Sequence, residues 1–416
     1  MRAAAVSNLS EFRLLYASGL LASLGSQISV LALPLLVLRQ TGSAVEAGAI
    51  GTVSVGALLL TALPGGALAD SVERRRLMRI CDVGSLLAAS ALAVAVLHGE
   101  SPLVLVLLVA GASAVINSFY GPAALGLLRA VVPKDMLATA ASRMQARGAA
   151  VRLVGPLLGG ALFAWHTAAP FVAEAIGLLL STTCLAFMRT RSTPEVRSGS
   201  ILSKEQLGAG LVFLWNQPYL RTVLIIFGLG MNSAFSAMIF AALTISSNNG
   251  HSGLGGGLVG SLTALGSLAG ALVAPRVQTS GGRSATLIRA TCWTCAAAVG
   301  VLAISHPPVL IGLMAAVCMA MASVASVGFL TSLLMLTPEV MTGRVQSAAN
   351  LLSSLAQPLG PLSAGVLLST WGASPTLGLL ACIFAVCAIA VTWAPSIRRQ
   401  TAMEKIHGHE KVLSAS

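Results

Sequence analysis

Charge is what this sequence lacks most. Only 9% of its 416 residues are Asp, Glu, Lys or Arg, whereas 56% are hydrophobic. A water-soluble domain carries roughly 25% charged residues to coat its surface, so lipid must be the solvent of this chain. The net charge of +12 is spread too thinly to form a nucleic-acid patch. There is no Gly-x-x-x-x-Gly-Lys-Ser/Thr loop, so the chain has no phosphate cradle of that kind with which to hydrolyse ATP. No catalytic arrangement of His, Cys and Asp stands out, because His98, His166 and His306 fall in loops and His407 and His409 in the tail. No enzyme activity, cofactor or metal is therefore expected. The seven cysteines all lie in apolar stretches, with no pairing across loops. Cys292 and Cys295 have the spacing of a redox or metal pair, but in a run of small apolar residues Cys behaves as a small hydrophobe.

What is abundant is apolar length. A helix needs about 20 apolar residues to cross the hydrocarbon core, and candidate spans fall near 14–38, 48–68, 80–97, 103–126, 139–164, 170–188, 222–246, 254–274, 285–305, 309–332, 347–369 and 375–394. The first is too long for the apolar region of a signal peptide and lacks a small-residue cleavage site, so it reads as a retained span. The 42 glycines suit helices that must approach closely without a hydrophobic force between them. Basic residues cluster after spans 2, 4, 6, 8, 10 and 12, with Arg74, Arg75, Arg76 and Arg79 the densest group, while the opposite loops hold only Arg39. Even-numbered connections and both termini are thus predicted on the cytoplasmic side.

The segment 189–221 is polar and separates 1–188 from 222–394, with a tail at 395–416. Ser203-Lys-Glu-Gln206 fits a capping box, and the apolar residues that follow predict an interfacial helix, a flexible tie lying on the membrane surface. The two flanking portions repeat. Val132-Pro133…Gly155-Pro156-Leu-Leu-Gly159-Gly160 recurs as Thr337-Pro338…Gly360-Pro361-Leu-Ser-Ala364-Gly365 at a constant shift of 205 residues, without a gap. A repeat of six spans in the same orientation is a transporter architecture. The predicted fold is an all-α polytopic membrane protein of two parallel six-helix repeats.

On these residues the chain resembles the major facilitator superfamily over nearly its full length. Gly66-Ala-Leu68-Ala-Asp70-Ser71-Val-Glu73-Arg74-Arg75-Arg76 is close to the family's motif A, with Ser71 in place of a basic residue and Glu73 in place of Gly. The resemblance implies a conformational latch built from Gly66, Asp70, Arg74 and Arg75, the Asp meeting nearby arginines and a helix end. Gly155-Pro156-x-x-Gly159-Gly160 resembles motif C, associated with drug:proton antiporters. Phe12-Arg13-Leu14-Leu15, Ala32–Leu38 and Tyr120-Gly121-Pro122-Ala123 point to the macrolide- and siderophore-exporter-like branch. In that branch an Asp often follows the Gly of span 1, but here Gly25 is followed by Ser26.

Charge inside the membrane is costly, at roughly 2.5–3.5 kcal/mol per residue on insertion scales, so Asp82, Arg152 and Glu174 each need a reason. Arg152, about ten residues into span 5, binds an anionic group, biases a coupling acid, or serves as a structural ion pair. Glu174 is a proton carrier if it is held away from water, and otherwise an interfacial residue wetted from outside. Asp82, three residues from Arg79, reads first as a structural partner of the motif A arginines, and Glu46 as an answer to Arg39. By family resemblance spans 1, 4, 7 and 10 line a substrate cavity, which nominates Gln27, Asn117, Tyr120, Asn232, Phe235, Met319 and Phe329. Such a lining of amides, Met and aromatics suits a bulky, apolar ligand, although each residue could equally be a helix-packing contact.

The reading is a monomeric secondary transporter of a bacterial cytoplasmic membrane, exporting a small hydrophobic drug or natural product against protons by alternating access. The rivals are a proton-coupled importer of a small metabolite and a non-transporting receptor or assembly factor. Coupling is predicted to live in the first half, with the second half an apolar wall.

Overall fold

The computed structural model describes residues 2–133, 136–190, 204–248, 254–278, 284–305, 307–338 and 341–398. The capping-box Ser203, the first part of the connecting segment at 191–203, and the tail from 399 onward lie outside the described residues, as do the side chains of Gly66 and Asp70. The described chain is helical throughout: α1 (Arg2–Thr41), α2 (Ala44–Ser71), α3 (Arg74–Leu97), α4 (Leu103–Val131), α5 (Leu137–Trp165), α6 (Ala169–Phe187), α7 (Lys204–Asn216), α8 (Pro218–Val223), a π-helical turn over Leu224–Met231, α9 (Asn232–Asn248), α10 (Leu254–Gln278), α11 (Ser284–Ile304), α12 (Pro308–Leu336), α13 (Thr342–Ser354), α14 (Leu359–Trp371) and α15 (Ala373–Trp393). Among the described residues, twelve stretches are long and apolar enough to cross a membrane. Helix is the form such stretches take, because lipid offers no partner to an unpaired backbone amide.

The chain divides into two compact units, one of Met1–Ile201 with Ser247–Ser261, the other of Leu202–Ser246 with Leu262–Ser416. In the first, α1 packs along α5 and α6, α2 along α4, and α3 between α4 and α6. Glycines set how closely these helices approach. A Cβ on Gly159 would stand 2.6 Å from the Ile28 carbonyl oxygen, and one on Gly155 2.6 Å from the Gln27 Cβ. Pro156 of the same motif turns the other way, where a Cβ on Gly257 would meet its carbonyl oxygen at 2.7 Å, and this contact draws the first residues of α10 into the unit. Ser43 accepts the Glu46 amide at 3.2 Å and so caps α2, while Arg39 donates to Thr167 at 3.0 Å. Arg39 therefore finds its partner in a different loop from the one holding Glu46.

The second unit repeats this packing with different details. A Cβ on Gly360 would stand 2.8 Å from the Ser233 carbonyl oxygen, matching the approach of Gly155 to span 1 at the 205-residue shift. Two departures are new. Span 11 is not continuous: α13 ends at Ser354, Leu355–Pro358 form a turn, and α14 begins at Leu359. Pro358 explains the break, since it has no amide to donate, and Asn232 Nδ2 donates to the Ser353 carbonyl at 2.8 Å beside it. In the first unit α5 runs unbroken through Pro156. The second departure is α7. It packs on α13, where a Cβ on Gly210 would stand 2.6 Å from the Arg344 carbonyl oxygen, with Leu214 buried and Val212 and Trp215 exposed. It is therefore docked on its own unit, not a loose tie.

Candidate functional site

Antiparallel pairing of α3 and α6 builds the site. Near the motif A end of α3, Arg75 donates from Nε to the Leu185 carbonyl and from Nη2 to the Ala186 carbonyl, both at 2.8 Å. These carbonyls belong to the last turn of α6, which has no intrahelical donors left, and a cation there also meets the negative end of the helix dipole. From α1, Glu11 accepts the amides of Arg189 at 3.0 Å and Thr190 at 3.1 Å, just past that end. Span 6 is thus held at its end by an arginine and a carboxylate from two different helices. Arg74 lies with its stem against Gly126 of α4. Because the two carbonyls need a forked donor, Arg75→Lys is expected to lower stability by roughly 1–3 kcal/mol despite conserving the charge, read as a lower midpoint in thermal unfolding of the purified protein.

Two turns further in, Ser181 Oγ donates to Asp82 Oδ2 at 2.5 Å. Asp82 is 1% exposed, and its Oδ1 has no hydrogen-bond partner. Its contact is therefore with α6, and Arg75, expected as a partner, is occupied by carbonyls. Glu174 is 6% exposed, which sets aside the wetted, interfacial reading. It packs directly on span 1: a Cβ on Gly25 would stand 2.9 Å from the Glu174 Cα. Glycine is required at 25 because the α1 and α6 backbones touch there.

Asp82 and Glu174 line one cavity of about 30 Å³, together with Ser23, Ser26, Ser85, Ser113, Asn117 and Tyr120. Asn117 Nδ2 lies 3.4 Å from Ser26 Oγ, and the buried Tyr120 hydroxyl faces Ser181 and Ser18. Among the described residues no Lys or Arg lines it, and a buried carboxylate with no cation beside it is costly as an anion. Four α-helices (α1, α3, α4 and α6) contribute to it.

The other nominated residues fall elsewhere. Arg152 is exposed on α5 and is not among the residues lining this cavity, which sets it apart from Glu174 and leaves its guanidinium open to an anionic group. The inward arginine is Arg147, which was not singled out: it donates to the Tyr16 carbonyl at 2.9 Å, lies 5.4 Å from the centre of the Tyr16 ring and presses on Gly19. Gln27 is wedged against Gly155. Phe235 is buried and packs on Phe384 with ring centroids 5.1 Å apart, so it belongs to the core of its unit. Met319 and Phe329 lie half-buried on α12. Cys292 and Cys295 are buried, the first with its sulfur 3.1 Å from that of Met231 and the second 4.0 Å from the Cys318 carbonyl. Both are packing residues.

Comparison with known proteins agrees with this architecture. Over 401 residues the chain is 27% identical to the multidrug efflux pump Tap of Mycolicibacterium fortuitum, covering 92% of this chain and 95% of that protein. It is 29% identical over 223 residues to the pump of the same name from Mycobacterium tuberculosis, about half of each chain. In fold it is similar to the nucleoside transporter NupG, with a TM-score of 0.73 at 11% identity over 92% of this chain and 99% of that one. It is also similar to a POT family transporter solved with 5-aminolevulinic acid, with a TM-score of 0.66 at 14% identity over 93% and 96% of the two chains. The pattern of the Major Facilitator Superfamily matches residues 15–361, and with twelve spans, a six-span repeat and the fold of these transporters, the chain belongs to that superfamily.

Proposed function

We propose that this transporter exports a small hydrophobic drug or natural product in exchange for protons, by alternating access in a bacterial cytoplasmic membrane with both termini inside, and that Glu174 is the coupling carboxylate. The observation that carries the coupling is the placement of Glu174, buried against Gly25 beside Ser26 in a polar cavity with no cation. The exporter branch that the chain resembles often carries an Asp after this glycine, where Ser26 stands here, and Glu174 of span 6 packs against the same glycine. Export is supported by the similarity to the multidrug efflux pump of Mycolicibacterium fortuitum over most of the chain and by the motif C residues Gly155, Pro156, Gly159 and Gly160. A ligand moves an alternating-access equilibrium only by binding its two states unequally, and a proton on Glu174 does so if its carboxylate is exposed to different sides in the two.

The test is expression in a drug-sensitive bacterial host challenged with a panel of hydrophobic antibiotics and dyes. The wild type is expected to raise resistance to several apolar compounds, and Arg152→Ala, which lies outside the cavity, to retain most of that resistance. Unchanged sensitivity across the whole panel, with no flux in everted vesicles, would contradict export.

A further inference from the structure

We infer that Asp82 is a second proton station, receiving the proton from Glu174 through the hydroxyl-lined cavity the two share. The inference rests on the coupling role proposed for Glu174. Ser181 and Glu174 are seven residues apart on α6, two helical turns or roughly 10 Å along the axis. Since Asp82 is bonded to Ser181, the two carboxylates lie on one side of α6 at different depths. Asp82 is on the side nearer the motif A arginines, and Glu174 is nearer the start of the helix. Leu178, one turn from Glu174 on α6, also lines the cavity and has no group that can pass a proton. The polar route runs instead over α1 and α4: Ser26 and Asn117 near Glu174, then the Tyr120 hydroxyl near Asp82.

Two details favour a relay over a packing role. Asp82 Oδ1 is buried without a hydrogen-bond partner, an expensive arrangement that packing alone does not call for. The cavity volume of about 30 Å³ is also enough for a water molecule or two, which is what a chain of hydroxyls needs to pass a proton. The groups facing Asp82 are Cys81 on its own helix, Ser181 and Cys184 from α6, and Tyr120 from α4, with Arg147 of α5 reaching Tyr120. Glu174 faces α1 at Gly25 and shares the cavity with Ser26 and Asn117. The step balances simply: the Glu174 carboxyl gives up a proton and becomes a carboxylate as the Asp82 carboxylate takes one up. Both carboxylates open on one small cavity, so a second negative charge there is disfavoured once the first has formed.

The experiment compares wild type, Asp82→Asn, Asp82→Glu and Glu174→Gln. Ethidium transport is measured in everted vesicles, and the infrared absorption of protonated carboxyls is titrated on the purified protein, a readout that needs no transported dye. Asp82→Asn is expected to cut gradient-driven ethidium uptake by about tenfold or more and to change the infrared titration of the Glu174 carboxyl, because the two groups share one cavity. Asp82→Glu is expected to restore part of the uptake. Ser181→Ala, which keeps both carboxylates, is expected to alter the Asp82 absorption even if Asp82→Asn fails to fold. If Glu174→Gln blocks uptake while Asp82→Asn pumps and titrates as wild type, the second station is overturned and the role of Glu174 stands. If Glu174→Gln also pumps normally, both fall together.

Discussion

Replacing Glu174 with Gln is expected to abolish gradient-driven export while leaving a folded protein. Gln keeps the shape and can still hydrogen-bond in the cavity, but it cannot ionise, so the two states of the transporter no longer differ by a bound proton. Removing a positioned proton-transfer group costs rate on the order of 10²-fold or more in other proton-transfer sites, and a loss of that size in uphill transport is expected here. Downhill equilibration of the dye, which needs no proton, should persist. Stability should not fall, because a buried amide that can hydrogen-bond to the cavity's hydroxyls costs less than a buried carboxylate anion with no cation. Glu174→Asp, one methylene shorter, should pump slowly. The pairing of lost uphill transport with retained downhill movement separates coupling from general damage, and wild-type pumping by Glu174→Gln would end the assignment.

The second large effect is expected at Gly159. Its would-be Cβ lies 2.6 Å from the backbone oxygen of Ile28, so a side chain has no flexible neighbour to displace, and α1 must move off α5. Overpacking of this kind costs roughly 1–3 kcal/mol even where side chains can adjust. Gly159→Val is therefore expected to give poor yield and a lower thermal midpoint in detergent, with drug resistance lost as a consequence. Gly121, in the Tyr120-Gly121-Pro122 stretch, meets nothing within 4 Å, and Gly121→Ala should be neutral or slightly stabilising by removing chain entropy worth about 0.5–1 kcal/mol. Equal tolerance of the two substitutions would show that motif C does not serve close helix approach.

The twelve spans were legible because lipid enforces one solution, helix, on every apolar stretch of sufficient length. The repeat was legible because Gly155 and Gly360 keep the same packing task in each unit. What could not be read was which way charges face. Arg147 and Arg152 are five residues apart, so they point about 140° apart around α5, and depth along the helix does not tell which of them faces α1. Asp82 and Glu174 both sit in the first half of their own helices, so the antiparallel pairing of α3 with α6 sets them at different depths, and it takes the polar residues of α1 and α4 to join them in one cavity. Periodicity gives a helix its faces but not its rotation against neighbours. The break at Leu355–Pro358 had a signal in Pro358, whereas the π-helical turn over Leu224–Met231 had none. At the 205-residue shift Asp82 meets Leu287 and Glu174 meets Leu379, so the second half has no counterpart of this cavity's acids, in keeping with the proposal that coupling lives in the first half.

The most direct measurement is ethidium uptake into everted vesicles carrying the protein, with a proton gradient imposed and then collapsed by an ionophore. Uphill uptake that depends on the gradient in wild type, stops on its collapse and is missing in Glu174→Gln is the predicted result. Uphill uptake that continues after the gradient is gone, or that Glu174→Gln sustains at the wild-type rate, would contradict a proton-coupled exporter working through Glu174.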